Sequence, residues 1–87
     1  MKWVGGKMKL KVVKPVFGEA ANQLVNEAGK YPDTILLKKE HWVVDAKSIL
    51  GILAISLQPG QEVELQIEGE SAEEIAQSFI SLDIFEK

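Results

Sequence analysis

The chain has 87 residues, 46% of them apolar, and a formal net charge of −3. A chain of this length buries little more than about 60% of its unfolded surface, enough for one core and one domain. The acidic balance argues against direct nucleic-acid binding, the lack of cysteine excludes disulfides and cysteine-ligated metals, and no apolar run nears the roughly 20 residues of a membrane span.

Residues 1–6 form a tail with Trp3 and Val4 but without the apolar stretch of a signal peptide, so a cytoplasmic protein with no membrane partner is expected. The domain is expected over 7–87. From Lys7 to Lys14, Lys7, Lys9 and Lys11 alternate with Met8, Leu10 and Val12, the pattern of a strand with one buried face. Pro15 ends it. Glu19 to Ala28 places Ala20, Ala21, Leu24, Val25 and Ala28 on one helical stripe, closed by Gly29 and blocked from continuing by Pro32. Thr34–Lys38 reads as a short strand, Lys39-Glu40 as a turn, and His41–Ala46 as the hairpin partner, with Trp42, Val44 and Ala46 on one face.

Ser48 stands in front of an apolar run, Ile49 to Ile55, that is too short for a long helix. The expected element is a short helix with Ser48 as N-cap. Gln58-Pro59-Gly60 is a turn. Gln61 to Glu68 alternates again, Val63, Leu65 and Ile67 inward and Glu62, Glu64, Gln66 and Glu68 outward. After Gly69-Glu70, Ser71-Ala72-Glu73-Glu74 has the spacing of a capping box. The helix it starts buries Ala72, Ile75, Ala76, Phe79 and Ile80 and fades near Leu82 or Phe85.

The order β-α-β-β-α-β-α predicts a two-layer α+β fold, a four-stranded antiparallel sheet with three helices on one face. The outward row of the first strand is all lysine and that of the fourth mostly glutamate. Opposite charges across strands are favourable by roughly 0.2–1 kcal/mol per pair, so the first and fourth strands are expected to be neighbours.

The element order, the segment Lys47-Ser48-Ile49-Leu50-Gly51, the Gly69-Glu70 break and the chain length resemble the histidine-containing phosphocarrier (HPr) family, from about Met8 to Phe85. The resemblance implies an open-faced β-sandwich with strand order 1-4-2-3, in agreement with the charge rows. HPr proteins are small phosphocarriers of the bacterial sugar phosphotransferase system. Their chemistry lies on a His-Ala-Arg-Pro-like motif at the start of the first helix, where an imidazole accepts a phosphoryl group and the helix N-terminus and the arginine stabilise its charge. The matching stretch here is Phe17-Gly18-Glu19-Ala20. Phe17 has no nucleophilic nitrogen, Glu19 reverses the charge of the arginine, and Ala20 replaces the proline. The resemblance therefore implies a histidine-less member with no catalytic residue, no cofactor and no enzyme activity.

In many members a serine at the start of the short central helix is phosphorylated by a dedicated ATP-dependent kinase. Ser48 holds that position. Members that lack the histidine but keep this serine, the catabolite-repression HPr relatives, bind a LacI-type transcription regulator after phosphorylation. The resemblance thus implies an HPr-type kinase and a LacI-type regulator as partners, regulatory phosphorylation at Ser48, and a partner surface of Phe17, Lys47, Ile49, Leu50 and Leu53. The family arginine replaced by Glu19 also contributes to the kinase and regulator interfaces.

The residues themselves leave alternatives open. Ser48 is either a regulatory site or only an N-cap. Ile49, Leu50, Ile52 and Leu53 cannot all face inward on a short helix, so apolar surface is expected to be exposed there. Phe17 is either a hydrophobic anchor for a partner or a staple folded onto the helix start. His41, the sole histidine, reads as a solvated turn residue, and the glutamate row pairs with lysines rather than a metal. Trp3 and Trp42 are candidates for a shared patch. Three functions compete: a regulatory phosphoprotein, a constitutive interaction module that needs no phosphate, and a phosphocarrier in the ordinary sense, which the missing histidine opposes.

Overall fold

In the computed structural model, which describes residues 6–87, the elements run β1 (Lys7–Val12), α1 (Glu19–Ala28), β2 (Thr34–Lys39), β3 (Trp42–Asp45), α2 (Ile49–Ile55), β4 (Glu62–Glu68), α3 (Ala72–Ser81) and β5 (Phe85–Glu86). The candidate patch of Trp3 and Trp42 includes Trp3, which lies outside the described residues. The sheet is antiparallel with strand order β3-β2-β4-β1-β5. Strands β1 to β4 follow the order that the family resemblance implied, and β1 and β4, which the charge rows predicted to be neighbours, meet in register. Lys9 stands opposite Glu64, Lys11 opposite Glu62 and Lys7 opposite Gln66. On the other side of β4, Lys38 also stands opposite Glu64. This face of the sheet is open. Among the described residues the ion pair within 4 Å is Lys30–Glu27, at 3.0 Å within α1 and its exit. The cross-strand charges therefore act through solvent, at the weak end of such pairings.

The other face carries the core. Met8, Leu10 and Val12 of β1, Ile35 and Leu37 of β2, and Val63, Leu65 and Ile67 of β4 are buried beneath the helices. Helix α1 contributes Ala21, Leu24 and Ala28, α2 contributes Ile52 and Ile55, and α3 contributes Ile75, Ala76 and Phe79. Fully burying each large aliphatic or aromatic side chain contributes on the order of 1.5–3 kcal/mol. These residues, rather than the surface charges, hold the fold.

Three expectations are corrected. The chain does not end in a fading helix. Asp83, at φ 62°, stops α3, and Ile84 and Phe85 return to the sheet. The Val13 N–H donates to the Ile84 carbonyl at 2.8 Å, Lys11 pairs with Glu86 and Val12 with Phe85, and Phe85 stacks on Phe79 with ring centroids 6.2 Å apart. Among the described residues the sheet thus has five strands. The hairpin turn is Glu40-His41 rather than Lys39-Glu40, because Lys39 and Trp42 are already a strand pair, and Glu40 takes a φ of 56°. Helix α3 starts at Ala72 as expected, but Ser71 forms no side-chain cap. Its own N–H donates to Asp33 Oδ2 at 3.0 Å instead. Asp33, a buried charged residue at 7% exposure, thereby ties the start of β2 to the start of α3. Gly69 passes against it at φ 151°, and a Cβ there would overlap the Asp33 carboxylate.

Candidate functional site

Two loops set up the site. The first leads from β1 into α1. Val16 is buried, and its N–H donates to the Leu57 carbonyl at 2.9 Å, which fixes the start of α1 to the segment just after α2. The next residue, Phe17, points outward and is 62% exposed. Gly18 follows as N-cap, at φ 58° and ψ −128°, with no side chain to cap the helix. A positive φ favours glycine, and this turn carries the chain from the exposed Phe17 into a helix that buries Ala21 and Leu24. Phe17 is therefore not folded down as a staple over the helix start. Glu19 is exposed in the first turn. Its carboxylate suits the positive end of the helix and would repel an anion arriving there.

The second loop leads from β3 into α2. Asp45 Oδ1 accepts the Lys47 N–H at 2.8 Å, and the Asp45 carbonyl accepts the Ser48 N–H at 2.9 Å. These bonds turn the chain. Ser48 then caps α2, its Oγ accepting the Gly51 N–H at 3.2 Å, while the Ile52 N–H bonds to the Ser48 carbonyl at 3.0 Å. Gly51 packs close to β3, where an added Cβ would lie 3.2 Å from Val44 Cβ. Ser48, Lys47 and Ile49 are half-buried.

Helix α2 buries Ile52 and Ile55 and leaves Leu50 78% and Leu53 41% exposed. The expectation that its apolar residues cannot all face inward is met. Leu57, which sequence patterning did not single out, is fully buried and anchors the exit of the helix after Ser56 takes a left-handed φ of 47°. His41 is an exposed turn residue. Among the described residues no group of three or more His, Asp or Glu is placed to hold a metal ion, and no helix is long and apolar enough to cross a membrane.

Residues 18–82 match the family described as "PTS HPr component phosphorylation site". The chain belongs to the HPr family. The match begins one residue after Phe17. The HPr-like protein Crh of Bacillus subtilis (strain 168) is 29% identical over 68 residues, covering 78% of this chain and 80% of that protein. The phosphocarrier protein HPr of Lysinibacillus sphaericus is 28% identical over 67 residues, covering 77% and 76%. The crystal structure of a phosphocarrier protein HPr from Bacillus anthracis str. Ames superposes with a TM-score of 0.81 at 26% identity, over 87% of this chain and 93% of that one. HPr-family proteins act through protein–protein contacts. The membership makes this a protein related to the sugar phosphotransferase system, with the open-faced α+β sandwich of that family.

Proposed function

We propose that this HPr-family chain is a regulatory binding protein that has given up phosphocarrier chemistry and uses Ser48 as a phosphorylation site. The observation that carries the reading is on α2. A serine at the N-cap stands beside Leu50, which is 78% exposed, and Leu53, which is 41% exposed. A phosphoserine carries about −1.5 to −2 charge. At Ser48 it would offer a partner a strong anion and an apolar anchor within one helical turn. The partner surface is Phe17, Lys47, Ile49, Leu50 and Leu53, and the link from Val16 to Leu57 supports treating Phe17 and α2 as one surface. The partners proposed are an HPr-type kinase and a LacI-type transcription regulator, in the cytoplasm, with residues 7–87 acting as one HPr-like domain. The protein is proposed to have no catalytic activity and no cofactor.

Phe17 supports the loss of phosphotransfer, since a phenyl ring cannot accept a phosphoryl group and Glu19 opposes one electrostatically. A second reading has its own support. Phe17 and Leu50 are exposed without any phosphate, and Glu19 stands where the family arginine serves the kinase interface, both of which suit a constitutive interaction module. The two readings differ in a pull-down from the host. Ser48→Asp, Ser48→Ala and the unaltered chain are used as bait, and the bound LacI-type regulator is quantified. Regulated binding requires the Asp variant to capture more regulator than the Ala variant. Equal capture by all three favours the constitutive module, and no capture removes that regulator from the proposal.

A further inference from the structure

Among the described residues, strand β3 is a free edge of the sheet, last in the strand order and paired only with β2. Its hydrogen bonds show which main-chain groups face outward. The Ala46 N–H donates to the Ile35 carbonyl at 2.9 Å, and Val44 stands opposite Leu37 and Trp42 opposite Lys39. Bonded positions alternate along an antiparallel pair. Trp42, Val44 and Ala46 therefore direct their main-chain groups to β2, while Val43 and Asp45 direct theirs away. The Asp45 carbonyl is occupied by the Ser48 N–H. The Val43 N–H, the Val43 carbonyl and the Asp45 N–H remain on the edge.

This edge has little of the usual protection. Its sequence is Trp-Val-Val-Asp, without proline or lysine, and Trp42 is 64% and Val43 50% exposed. Such an edge is a template for another strand. We infer that β3 pairs antiparallel with β3 of a second copy of this chain, about a two-fold axis at Val43. Self-complementarity selects the occupant. With Val43 opposite the partner's Val43, each Val43 N–H meets the other's carbonyl, and each Asp45 N–H faces the partner's His41 carbonyl at the turn. All three outward groups then have acceptors or donors that are not already used. Shifting the register by two residues either way pairs Val43 with the occupied Asp45 carbonyl or leaves the Asp45 N–H without an acceptor.

The side chains fit the same register. On the open face the Asp45 carboxylate lies across from the partner's His41 imidazole, so no like charges meet. On the helix face Trp42 lies across from the partner's Val44, an aromatic–β-branched pair of the kind that stabilises strand neighbours. The result is an isologous dimer with one sheet continuous across both copies.

The test is sedimentation equilibrium over a concentration series, combined with cross-linking. The unaltered chain should show a monomer–dimer equilibrium, and Val43→Lys should weaken it about tenfold or more, with an unchanged melting temperature at concentrations low enough for both to be monomeric. The chain has no cysteine, so a single introduced thiol reports only on self-pairing. Val43 Cα atoms opposite each other in a bonded pair would be about 5.5 Å apart, within disulfide reach. Val43→Cys should therefore form covalent dimers under mild oxidation faster than Glu73→Cys on the exposed side of α3. Val44→Cys, which faces the partner's Trp42, should not. A chain that stays monomeric throughout overturns the inference, as does a dimer indifferent to Val43→Lys, including one made by strand exchange. Val44→Cys cross-linking as fast as Val43→Cys would overturn the register.

Discussion

Replacing Ser48 separates what this side chain does for the fold from what it does for a partner. Its Oγ accepts the Gly51 N–H at 3.2 Å, whereas the Ile52 N–H uses the Ser48 carbonyl, which any residue keeps. Helix α2 has seven residues, so few bonds hold its first turn. Ser48→Ala removes the side-chain acceptor, and losing such a cap costs typically about 1 kcal/mol, within a range of about 0.5–2. The bond sits at the long end of the N–H···O range, so about 1 kcal/mol or slightly less is expected. In a domain of this size that lowers the melting temperature by about 4–8 °C. Ser48→Asp keeps an acceptor of equal rank and adds a negative charge at the helix start, favourable by about 0.3–1 kcal/mol. The nearby Asp45 carboxylate, already committed to the Lys47 N–H, opposes that gain. The two terms nearly cancel, leaving Ser48→Asp within about 0.5 kcal/mol of the parent. Urea denaturation and a thermal melt measure both variants. If Ser48→Asp falls as far as Ser48→Ala, or if Ser48→Ala costs nothing, the capping argument is wrong. In that case a binding change in Ser48→Asp would no longer be separable from a folding change.

The remaining predictions concern phosphotransfer and the fold. Incubated with Enzyme I and phosphoenolpyruvate, the chain should gain no acid-labile phosphoryl group by intact mass. Phe17→His alone should also fail, whereas Phe17→His with Glu19→Arg should restore partial transfer; full transfer by the single variant would show the charge of Glu19 to be unimportant. Gly69→Ala should destabilise by about 2 kcal/mol or more, from its φ of 151° and the overlap with Asp33, and the loss should shrink in an Asp33→Ala background where the carboxylate is gone. An equal loss in both backgrounds, read from urea midpoints, would assign the cost to the backbone alone. Glu64→Lys, flanked by Lys9 and Lys38 in register, should cost about 1 kcal/mol at low ionic strength and less as salt is added. A salt-independent loss would mean that packing, not charge, is responsible.

The pairing of β1 with β4 was legible because charge and burial alternate together on both strands. The rows could be matched without a structure, and Lys9 does face Glu64. The boundaries of α1 and α2 were legible for a similar reason. A helical stripe closed by Gly29 and a serine before an apolar run are local signals, and local bonds decide both ends. The last strand was not legible. Residues 81–87 contain no glycine or proline to mark the end of α3, and the break is made by Asp83 in a left-handed conformation that its sequence does not announce. What fixes β5 is the stacking of Phe85 on Phe79, a tertiary contact. The reciprocal half of the capping box failed for a related reason. Asp33, 38 residues away, accepts the Ser71 N–H that Glu74 would take in a capping box, and no local pattern encodes that competitor. At the candidate site the sequence located Ser48 and the surplus of apolar residues on α2, but which leucines stay exposed followed only from how α2 packs on β3 and the core.

The reading rests most directly on whether Ser48 is a kinase substrate. The chain is treated with an HPr-type kinase and ATP, alongside an authentic HPr in the same tube and the Ser48→Ala variant in another, and the products are mapped by peptide mass spectrometry. Regulatory phosphorylation predicts one added phosphoryl group on the peptide containing Ser48 and none on Ser48→Ala. An unmodified chain beside a fully phosphorylated HPr would contradict it. Recovery of modification in Glu19→Arg would then point to Glu19 as the residue that keeps the kinase from docking.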